Sequence, residues 1–400
     1  MASAAAAGTL YGASRGAQAV DDTLRAGIQK RGIPAVVAMV ANSRSILYSG
    51  ALGTRDGASG KSVDASSLFS IASMTKAITT TAAMQLVERG KLRLDEPAAR
   101  HLPELGKLQV IAGFDSSGAP QLRPVSKPVT LRRLLTHTSG FAYDTWNETL
   151  FHYAQRTGTL GASAITDPPS PLVFEPGTAW QYGTSLDWTS RLVEVASGTK
   201  LEAYFQENIL KPLGMKDTSF FVSPERFERL VSGYQRQVDG LWRQNPRVPP
   251  APPTMPTGGG GLYSTAPDYI RFVQMILGRG SLDGVKILKP DTVAQMSRNQ
   301  IGGLNAGKLK TFRPDRSAEV DLHPGALDKW GFGFLINTVP YEGGRSAGSL
   351  AWAGINNTFY WIDPRRDLAA VIMMQFLPFV DREAVGILGD FERSVYANLG

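Results

Sequence analysis

A serine and a lysine three residues apart are the first pattern in this sequence that could carry out chemistry. They are Ser73 and Lys76, at the start of residues 73–88, a segment whose pattern predicts a helix. Residues three apart lie on the same face of a helix, so the hydroxyl and the amine can point the same way. Ser73 would lie in the first turn, where free backbone N–H groups and the helix dipole stabilise negative charge. A serine beside an amine in such a place can act as a nucleophile without a histidine.

The Ser-x-x-Lys pattern is weak by itself, because a chain of this composition contains about one or two by chance. The second occurrence joins Ser197 to Lys200. Ser197 ends an apolar-periodic helix before Gly198, so it would lie at the negative end of the helix dipole, where an oxyanion is not stabilised. On this pattern alone, we interpret Ser73 as a helix-capping serine beside a solvated lysine.

Two Gly-x-Ser-x-Gly strings offer further nucleophile candidates, Ser14 and Ser346. A nucleophile elbow needs a buried strand before the serine, a helix after it, and an acidic residue and a histidine downstream. Ser14 follows no predicted strand, and the last histidine, His323, precedes Ser346. We therefore interpret both as loop serines.

The remaining chemistry-bearing residues predict no metal and no cofactor. Cysteine is absent, which excludes disulfides, a thiol nucleophile and thiolate metal ligands. The glycine run at residues 258–261 lacks the Gly-Lys-Ser/Thr ending of a phosphate-binding loop and predicts a close-packed turn. The four histidines are dispersed and belong to no metal-binding motif. They are His101, His137, His152 and His323.

Length and composition are those of an ordinary soluble protein. The 400 residues, 42% of them hydrophobic, suffice for a large core and two lobes. The 42 basic and 35 acidic residues are scattered, which predicts no nucleic-acid groove. No stretch approaches 18 uninterrupted apolar residues, so no membrane span is expected. Residues 1–8 lack the basic and apolar regions of a secretory signal, and the cytoplasm is the expected compartment.

Hydrophobic periodicity predicts an α+β protein whose sheet is assembled from both ends of the chain. Helices are predicted at residues 14–31, 130–135, 184–197, 268–278 and 381–398. Strands are predicted at residues 36–40, 45–52, 331–337, 350–353, 358–362 and 368–374. The Pro- and Gly-rich middle of the chain is interpreted as an insertion between the two parts of the sheet-forming lobe. We therefore expect one α/β lobe from residues 1–94 and 256–400, and a mostly helical lobe from residues 95–255.

Six short motifs occur in a fixed order and are far more specific together than Ser-x-x-Lys alone. They are FSIASMTK at 69–76, LLTHTSGF at 134–141, EPG at 175–177 with WQYGTS at 180–185, PLGMKDT at 212–218, GGGLYST at 259–265, and WAG at 352–354. Over about residues 20–395 the sequence resembles the serine β-lactamase and penicillin-binding-protein-like superfamily on its class C side. More narrowly, it resembles the family VIII carboxylesterases. The resemblance implies the β-lactamase/D,D-peptidase-like fold, with an antiparallel sheet flanked by the terminal helices.

The resemblance also implies roles for single residues. Ser73 corresponds to the nucleophile that forms the acyl-enzyme, Lys76 to its hydrogen-bonded lysine, and Tyr182 to the general base. A tyrosine has an unperturbed pKa of about 10, so an ammonium such as that of Lys76 is needed to stabilise its phenolate. The backbone N–H groups of Ser73 and Ile355 correspond to the oxyanion hole. The implied pocket residues are Trp352, Gly354, Phe141, Tyr143 and Thr184.

Two positions depart from the class C pattern. Trp352 replaces the basic residue that attracts a substrate carboxylate, and Thr184 replaces the amide-binding asparagine. An indole wall and the loss of the amide contact favour neutral esters over β-lactams or peptides. His137 is assigned a structural role.

The function predicted from the sequence is a serine carboxylesterase acting on a small short-chain or aryl ester. The alternatives are a β-lactamase, a D,D-peptidase or D-aminopeptidase, and an acyltransferase on the same scaffold. A catalytically silent binding protein is a further alternative, against which the intact Ser73, Lys76 and Tyr182 argue. The oligomeric state is left open.

Overall fold

The computed structural model describes residues 14–161, 165–166 and 168–400. The predicted absence of a secretory signal concerns residues 1–8, which lie outside this part. The α-helices are α1 (Arg15–Arg31), α2 (Thr75–Glu88), α3 (Leu131–Leu135), α4 (Glu148–Thr157), α5 (Ser185–Ser197), α6 (Leu201–Phe205), α7 (Pro224–Phe227), α8 (Ala266–Leu277), α9 (Pro290–Met296) and α10 (Arg382–Asn398). Short 3₁₀ turns lie at Ala72–Met74, Ala98–Arg100 and Pro103–Gly106, and a π-helical turn lies at Gln206–Leu210.

The strands fall into one large sheet, one small three-stranded sheet and several short pairs. They are β1 (Ala35–Ala41), β2 (Ile46–Asp56), β3 (Lys61–Ser62), β4 (Phe69–Ser70), β5 (Gln109–Phe114), β6 (Pro120–Pro124), β7 (Tyr234–Arg236), β8 (Trp242–Gln244), β9 (Tyr263–Ser264), β10 (Ser281–Leu282), β11 (Val285–Lys286), β12 (Lys329–Trp330), β13 (Leu335–Ile336), β14 (Leu350–Gly354), β15 (Thr358–Asp363), β16 (Leu368–Met373) and β17 (Phe376–Leu377).

The large sheet has eight antiparallel strands in the order β12-β13-β14-β15-β16-β1-β2-β3. The two ends of the chain meet where β1 pairs with β16, with Val37 opposite Met373. The β1 strand is buried along its whole length, as a central strand covered on both faces must be. The prediction of an α+β fold with a sheet built from both chain ends is therefore confirmed.

Helices cover both faces of this sheet. Side chains alternate between the faces of a strand, so Tyr360 and Trp361 of β15 point to opposite sides. Tyr360 packs on Tyr269 of α8, with ring centroids 5.4 Å apart. Trp361 packs on Phe391 of α10, at 5.6 Å. The terminal helices α1 and α10 pack on each other and cover the face opposite α8.

Helix α2 runs through the interior, with every residue from Thr75 to Leu86 buried. A helix without an exposed face has its position fixed by packing on all sides. The turn at Ala72–Met74 directly precedes α2, so the position of Ser73 is fixed as well.

The middle of the chain is more irregular than predicted. Its described part, between residues 95 and 255, contains the short helices α3 to α7 and two hairpins, β5–β6 and β7–β8. The lobe boundaries stay a prediction. No helix among the described residues is long and apolar enough to cross a membrane.

One predicted strand, at residues 331–337, is wrong in its first half. A turn interrupts it, in which the Gly331 N–H donates to the Phe334 carbonyl at 2.9 Å. Gly333 has a φ of +81° in this turn, and a Cβ there would lie 2.6 Å from Thr80 Oγ1 of α2. The two short strands β12 and β13 form on either side.

Candidate active site

Ser73 lies on a tightly held turn at the start of α2. The preceding residue, Ala72, has a φ of +42°, which is a strained conformation for a residue with a Cβ. The Ile71 N–H donates to the Leu262 carbonyl at 3.0 Å and anchors the turn to the segment after the glycine run. The structure therefore presents the Ser73 hydroxyl from a constrained backbone at the positive end of a buried helix.

The Lys76 ammonium is the centre of the site. Its side chain is buried, with 1% of the residue exposed. Nζ donates to Ser73 Oγ at 3.0 Å, to the Tyr143 hydroxyl at 3.1 Å, and to the Gly259 carbonyl. A lysine has three donors and no acceptor, so these three bonds use its full capacity.

Electrostatics keep Lys76 protonated. Burial alone would lower the pKa of its ammonium, but the combined influence of Tyr143, Tyr182 and Asp187 outweighs burial and raises that pKa above its ordinary value. Lys76 therefore acts as a hydrogen-bond donor and a fixed positive charge. Two tyrosines, Tyr143 and Tyr182, lie beside the ammonium.

Tyr182 is held rigidly at the N-terminal side of α5. Its hydroxyl accepts a hydrogen bond from Trp352 Nε1 at 3.0 Å. Lys76 Nζ lies 4.9 Å from the centroid of its ring, within range of a cation–π contact. The ring also packs on His137 and Trp352, at centroid distances of 4.7 and 4.8 Å.

A second tyrosine, Tyr143, contacts the lysine directly and was predicted only as a pocket residue. Burial raises the pKa of its hydroxyl, and the Lys76 ammonium opposes that rise. Its ring centroid lies 5.5 Å from that of Tyr182. The site thus holds two phenols around one ammonium.

Asp187 and the glycine run complete the surroundings of Lys76. Asp187 Oδ1 accepts from the Gly259 N–H at 2.9 Å, which orients the Gly259 carbonyl that accepts from Lys76. A Cβ at Gly259 would lie 2.4 Å from the Asp187 carboxylate, so only glycine fits there. Burial raises the pKa of Asp187, while Lys76 opposes the rise. Asp187 was not predicted as a site residue; its one signal in the sequence is an acidic residue on the buried face of α5.

The predicted oxyanion donors lie on two turns that pack together. Asn356 Nδ2 donates to the Ser70 carbonyl at 3.2 Å, and a Cβ at Gly354 would lie 2.3 Å from the Ile71 carbonyl oxygen. This contact holds the end of β14 against the Ser73 turn. We find no protein acceptor for the backbone N–H of Ser73 or Ile355 among the described residues.

A cavity of about 670 Å³ opens above Ser73. Of the predicted site residues, Ser73, Ile355, Tyr143 and Thr184 line it. The described residues on its wall do not include Lys76, Tyr182, Trp352, Gly354 or Phe141, all of which are buried. The indole of Trp352 contacts Tyr182 rather than the open cavity.

The lining of the cavity combines apolar side chains with two arginines. Side chains from α4, from the residue before its N-cap and from a proline-rich loop form an apolar wall, which we call the α4 wall. It consists of Trp146, Leu150, Tyr153, Ala154, Pro168, Pro169 and Pro171. Arg313 and Arg316 also line the cavity and were not predicted.

The other candidate serines lie in structural positions. Ser14 Oγ accepts from the Ala17 N–H at 3.1 Å and caps α1. Ser197 is the last residue of α5, before Gly198 in the left-handed conformation. The Ser346 N–H donates to Asp363 Oδ2 at 2.8 Å within a loop. None of the three lines the cavity.

His137 supports the site from behind. It is fully buried, and Nδ1 accepts from the Gly183 N–H at 3.4 Å, next to Tyr182. Burial lowers the pKa of its imidazole well below the ordinary value, and Lys76 adds to that effect. Across residues 14–161, 165–166 and 168–400, no group of three histidine or carboxylate side chains could hold a metal ion.

Comparison with known proteins agrees with this architecture. The sequence model of the Beta-lactamase family matches residues 20–389. Monacolin J acid methylbutanoyltransferase of Aspergillus terreus is 33% identical over 82% of this chain and 81% of that protein. Lovastatin esterase of Penicillium rubens is 29% identical over 94% of this chain and 98% of that protein.

Among solved structures, unliganded selenomethionyl simvastatin synthase from Aspergillus terreus superposes with a TM-score of 0.82 at 29% identity, covering 97% of this chain and 99% of that chain. This chain therefore belongs to the Beta-lactamase family and has the β-lactamase-like fold of a group that comprises serine hydrolases and acyltransferases.

Proposed function

We propose that this protein is a serine carboxylesterase that hydrolyses short-chain or aryl esters through an acyl-enzyme on Ser73. One observation carries the proposal. A buried ammonium, Lys76, donates at 3.0 Å to the Ser73 hydroxyl at the floor of an open cavity, with two tyrosines around it. This arrangement lowers the cost of removing the serine proton without histidine or metal.

Acylation begins with transfer of the Ser73 proton to Tyr182. The phenolate form of Tyr182 is stabilised by the Lys76 ammonium and by the Trp352 N–H. Ser73 Oγ attacks the ester carbonyl, and the resulting oxyanion is held by the N–H groups of Ser73 and Ile355. When the intermediate collapses, the C–O bond to the alcohol breaks, and the tyrosine returns its proton to the leaving alkoxide.

Deacylation repeats these steps with water as the nucleophile. Tyr182 takes a proton from water, hydroxide attacks the acyl carbonyl, and Ser73 leaves with the proton that the tyrosine gives back. The net reaction consumes one water and releases one acid and one alcohol. No group on the protein is changed at the end of the cycle.

The cavity supports esters as the substrate class. The α4 wall offers an apolar surface for an alkyl or aryl group. The Trp352 N–H is already bonded to Tyr182, so β14 presents no free cation or side-chain donor at that position for the carboxylate of a β-lactam. Thr184 on the cavity wall lacks the amide group that would bind a peptide or lactam.

Acyl transfer to an alcohol is the second candidate. The named activities of the similar proteins include a methylbutanoyltransferase and an esterase, and both kinds of reaction pass through the same acyl-enzyme. A cavity of about 670 Å³ has room for an alcohol acceptor in place of water. The two activities differ only in the nucleophile that takes the acyl group from Ser73.

The test of the proposal is a panel assay on purified protein with p-nitrophenyl butyrate, nitrocefin and D-Ala-p-nitroanilide. We expect ester turnover to exceed β-lactam and anilide turnover, Ser73→Ala to abolish it, and Ser346→Ala to retain it. Intact-mass analysis should place a phosphonate adduct on the Ser73 peptide. Nitrocefin turnover far above ester turnover would refute the carboxylesterase assignment.

Adding 1-butanol to the p-nitrophenyl butyrate assay distinguishes hydrolysis from acyl transfer. A hydrolase yields mainly butyric acid, and a transferase yields mainly butyl butyrate. Gas chromatography of the two products gives the ratio directly. A large excess of butyl butyrate at low alcohol concentration would assign the protein to the second candidate.

A further inference from the structure

The cavity above Ser73 is lined by an arginine whose guanidinium has no protein partner among the described residues. Arg313 and Arg316 both line it, but they differ in their surroundings. The Arg313 guanidinium makes two hydrogen bonds with the Asp315 carboxylate, at 3.0 and 2.9 Å. Asp144, which also lines the cavity, adds to the negative charge near Arg313. The exposed Arg316 guanidinium makes no hydrogen bond or ion pair with any residue that the structure describes.

The backbone that carries Arg316 is well anchored. The Arg316 N–H donates to the Arg313 carbonyl at 2.9 Å, and the Arg316 carbonyl accepts from the Phe379 N–H at 2.9 Å. Next to it, Ser317 Oγ accepts from Trp146 Nε1 of the α4 wall at 3.0 Å. The turn is therefore attached both to the α4 wall and to the segment that follows β16.

That segment connects Arg316 to the predicted oxyanion hole. Asn357 Nδ2 donates to the carbonyls of Phe376 and Pro378, at 2.9 and 2.8 Å, and Asn357 Oδ1 accepts from the Val380 N–H at 2.9 Å. Asn357 lies two residues after Ile355. The position of Arg316 is thus fixed, through short backbone links, relative to the place where the ester carbonyl binds.

We propose that Arg316 selects esters that carry a carboxylate remote from the scissile bond. This inference rests on the proposed function and names the substrate class of the same site. The hydrocarbon part of such an ester would lie on the α4 wall, and its carboxylate would accept two parallel N–H bonds from the guanidinium. Asp315 and Asp144 offset part of the positive charge nearby, so the selectivity comes from directed hydrogen bonds more than from long-range attraction.

Pairs of substrates that differ only in charge test this inference. One pair is mono-4-nitrophenyl glutarate and the ketone 4-nitrophenyl 5-oxohexanoate, with the carboxylate on the acyl side. The other pair is 4-acetoxybenzoate and 4-acetoxyacetophenone, with the carboxylate on the alcohol side. The variants are Arg316→Gln and Arg316→Glu. Arg365→Gln is the matched control, because Arg365 is exposed and lies on the turn at the far end of β15.

We expect Arg316→Gln to lower kcat/KM for the carboxylate member of at least one pair by about five- to twentyfold, through KM, and Arg316→Glu to lower it further. The neutral members should stay within about twofold, and Arg365→Gln should change neither. An unchanged ratio of carboxylate to neutral ester in Arg316→Gln, in both pairs, would overturn the inference while the esterase proposal stands.

A binding measurement tests the inference independently of catalysis. Calorimetry with Ser73→Ala protein measures the affinity for each intact carboxylate ester, with and without Arg316→Gln. A Kd about fivefold or more weaker in the double variant supports the inference even when no ester is turned over. If Ser73→Ala and the double variant bind each of the two carboxylate esters with the same affinity, the inference is overturned.

Discussion

At the scale of single residues, the protonation state of Lys76 decides which side chain can act as the general base. Its three donors are already committed to Ser73, Tyr143 and Gly259, and the surrounding phenols and carboxylate raise its pKa. A lysine in that state cannot accept the serine proton. In the proposed mechanism the general base is therefore a tyrosine, and Tyr182 and Tyr143 are the two candidates.

Phenylalanine substitutions distinguish the two tyrosines. We expect Tyr182→Phe to lower kcat for p-nitrophenyl butyrate by about 10²–10⁴-fold, because it removes the general base. Tyr143→Phe should cost about fivefold, the value of one hydrogen bond that orients Lys76. Steady-state kinetics on both variants gives the comparison. The reverse order would assign the proton transfer to Tyr143.

His137 should make the protein sensitive to mild acid. Its pKa in the folded state is depressed by burial, whereas that of an unfolded histidine is about 6.5. Below pH 6.5 the unfolded chain therefore binds a proton that the folded protein does not, and stability is lost as the pH falls. Between pH 8 and pH 5.5 this single group contributes a loss of about 1 kcal/mol.

The matching variant is His137→Asn, because asparagine tolerates the left-handed φ of +57° at this position. Urea unfolding at pH 8 and pH 5.5 measures the free energy of unfolding of both proteins. We expect the variant to be less stable at both pH values but to lose about 1 kcal/mol less on acidification. Identical losses would show that His137 titrates normally in the folded protein.

The sequence was sufficient to identify part of this site and insufficient for the rest. Ser73 lies in the 3₁₀ turn that leads directly into α2, three residues before Lys76, so local geometry alone places them together. Tyr143 and Asp187 approach Lys76 only through tertiary packing across 67 and 111 residues, and no spacing rule encodes that approach. Arg316 was missed for the same reason, since the cavity that it lines is formed by segments far apart in the chain.

At the scale of elements, the glycine run holds α2 and α5 together beneath the site. The Gly258 carbonyl accepts from Thr79 Oγ1 of α2 at 2.8 Å, and the Gly258 N–H donates to Ser190 Oγ of α5 at 3.1 Å. The sequence predicted a close-packed turn here from the glycines. The bounds of α1, β14 and β16 were also predicted to within a residue or so, because each has clear periodicity or flanking turn residues.

Gly259→Ala tests the glycine run as a positioning element. The added Cβ would overlap the Asp187 carboxylate, so either the carboxylate or the Gly259 carbonyl must move away from Lys76. A displacement of about 1 Å near the reacting groups costs about 10²-fold in rate, and we expect kcat for p-nitrophenyl butyrate to fall by that amount.

Gly303→Ala is the control, since nothing lies within 4 Å of a Cβ there and its φ lies outside the left-handed region. Both variants should remain folded, as judged by thermal unfolding. Full activity in Gly259→Ala would show that the orientation of the Gly259 carbonyl does not matter for catalysis.

At the scale of the whole molecule, the two chain ends meet at the sheet and are fastened by buried charge. The loop before β14 contributes Arg345, whose side chain donates to the Glu392 carboxylate of α10 at 2.8 and 2.5 Å. Both side chains are about 5% exposed. The Arg345 guanidinium also lies 5.0 Å from the ring centroid of Trp361 in β15. The second Gly-x-Ser-x-Gly string, around Ser346, therefore has a structural explanation in the neighbouring arginine.

Arg345→Met should destabilise the protein by about 3–5 kcal/mol, because it leaves the Glu392 carboxylate buried without its cation. The double variant Arg345→Met/Glu392→Leu removes both charges, and we expect it to recover most of that loss. Urea unfolding gives the three free energies. Because α10 and Ser73 lie on opposite faces of the sheet, both variants should keep the wild-type kcat for p-nitrophenyl butyrate below their unfolding temperatures. If the double variant is as unstable as Arg345→Met, lost side-chain packing, and not the unpaired Glu392 carboxylate, causes the loss of stability.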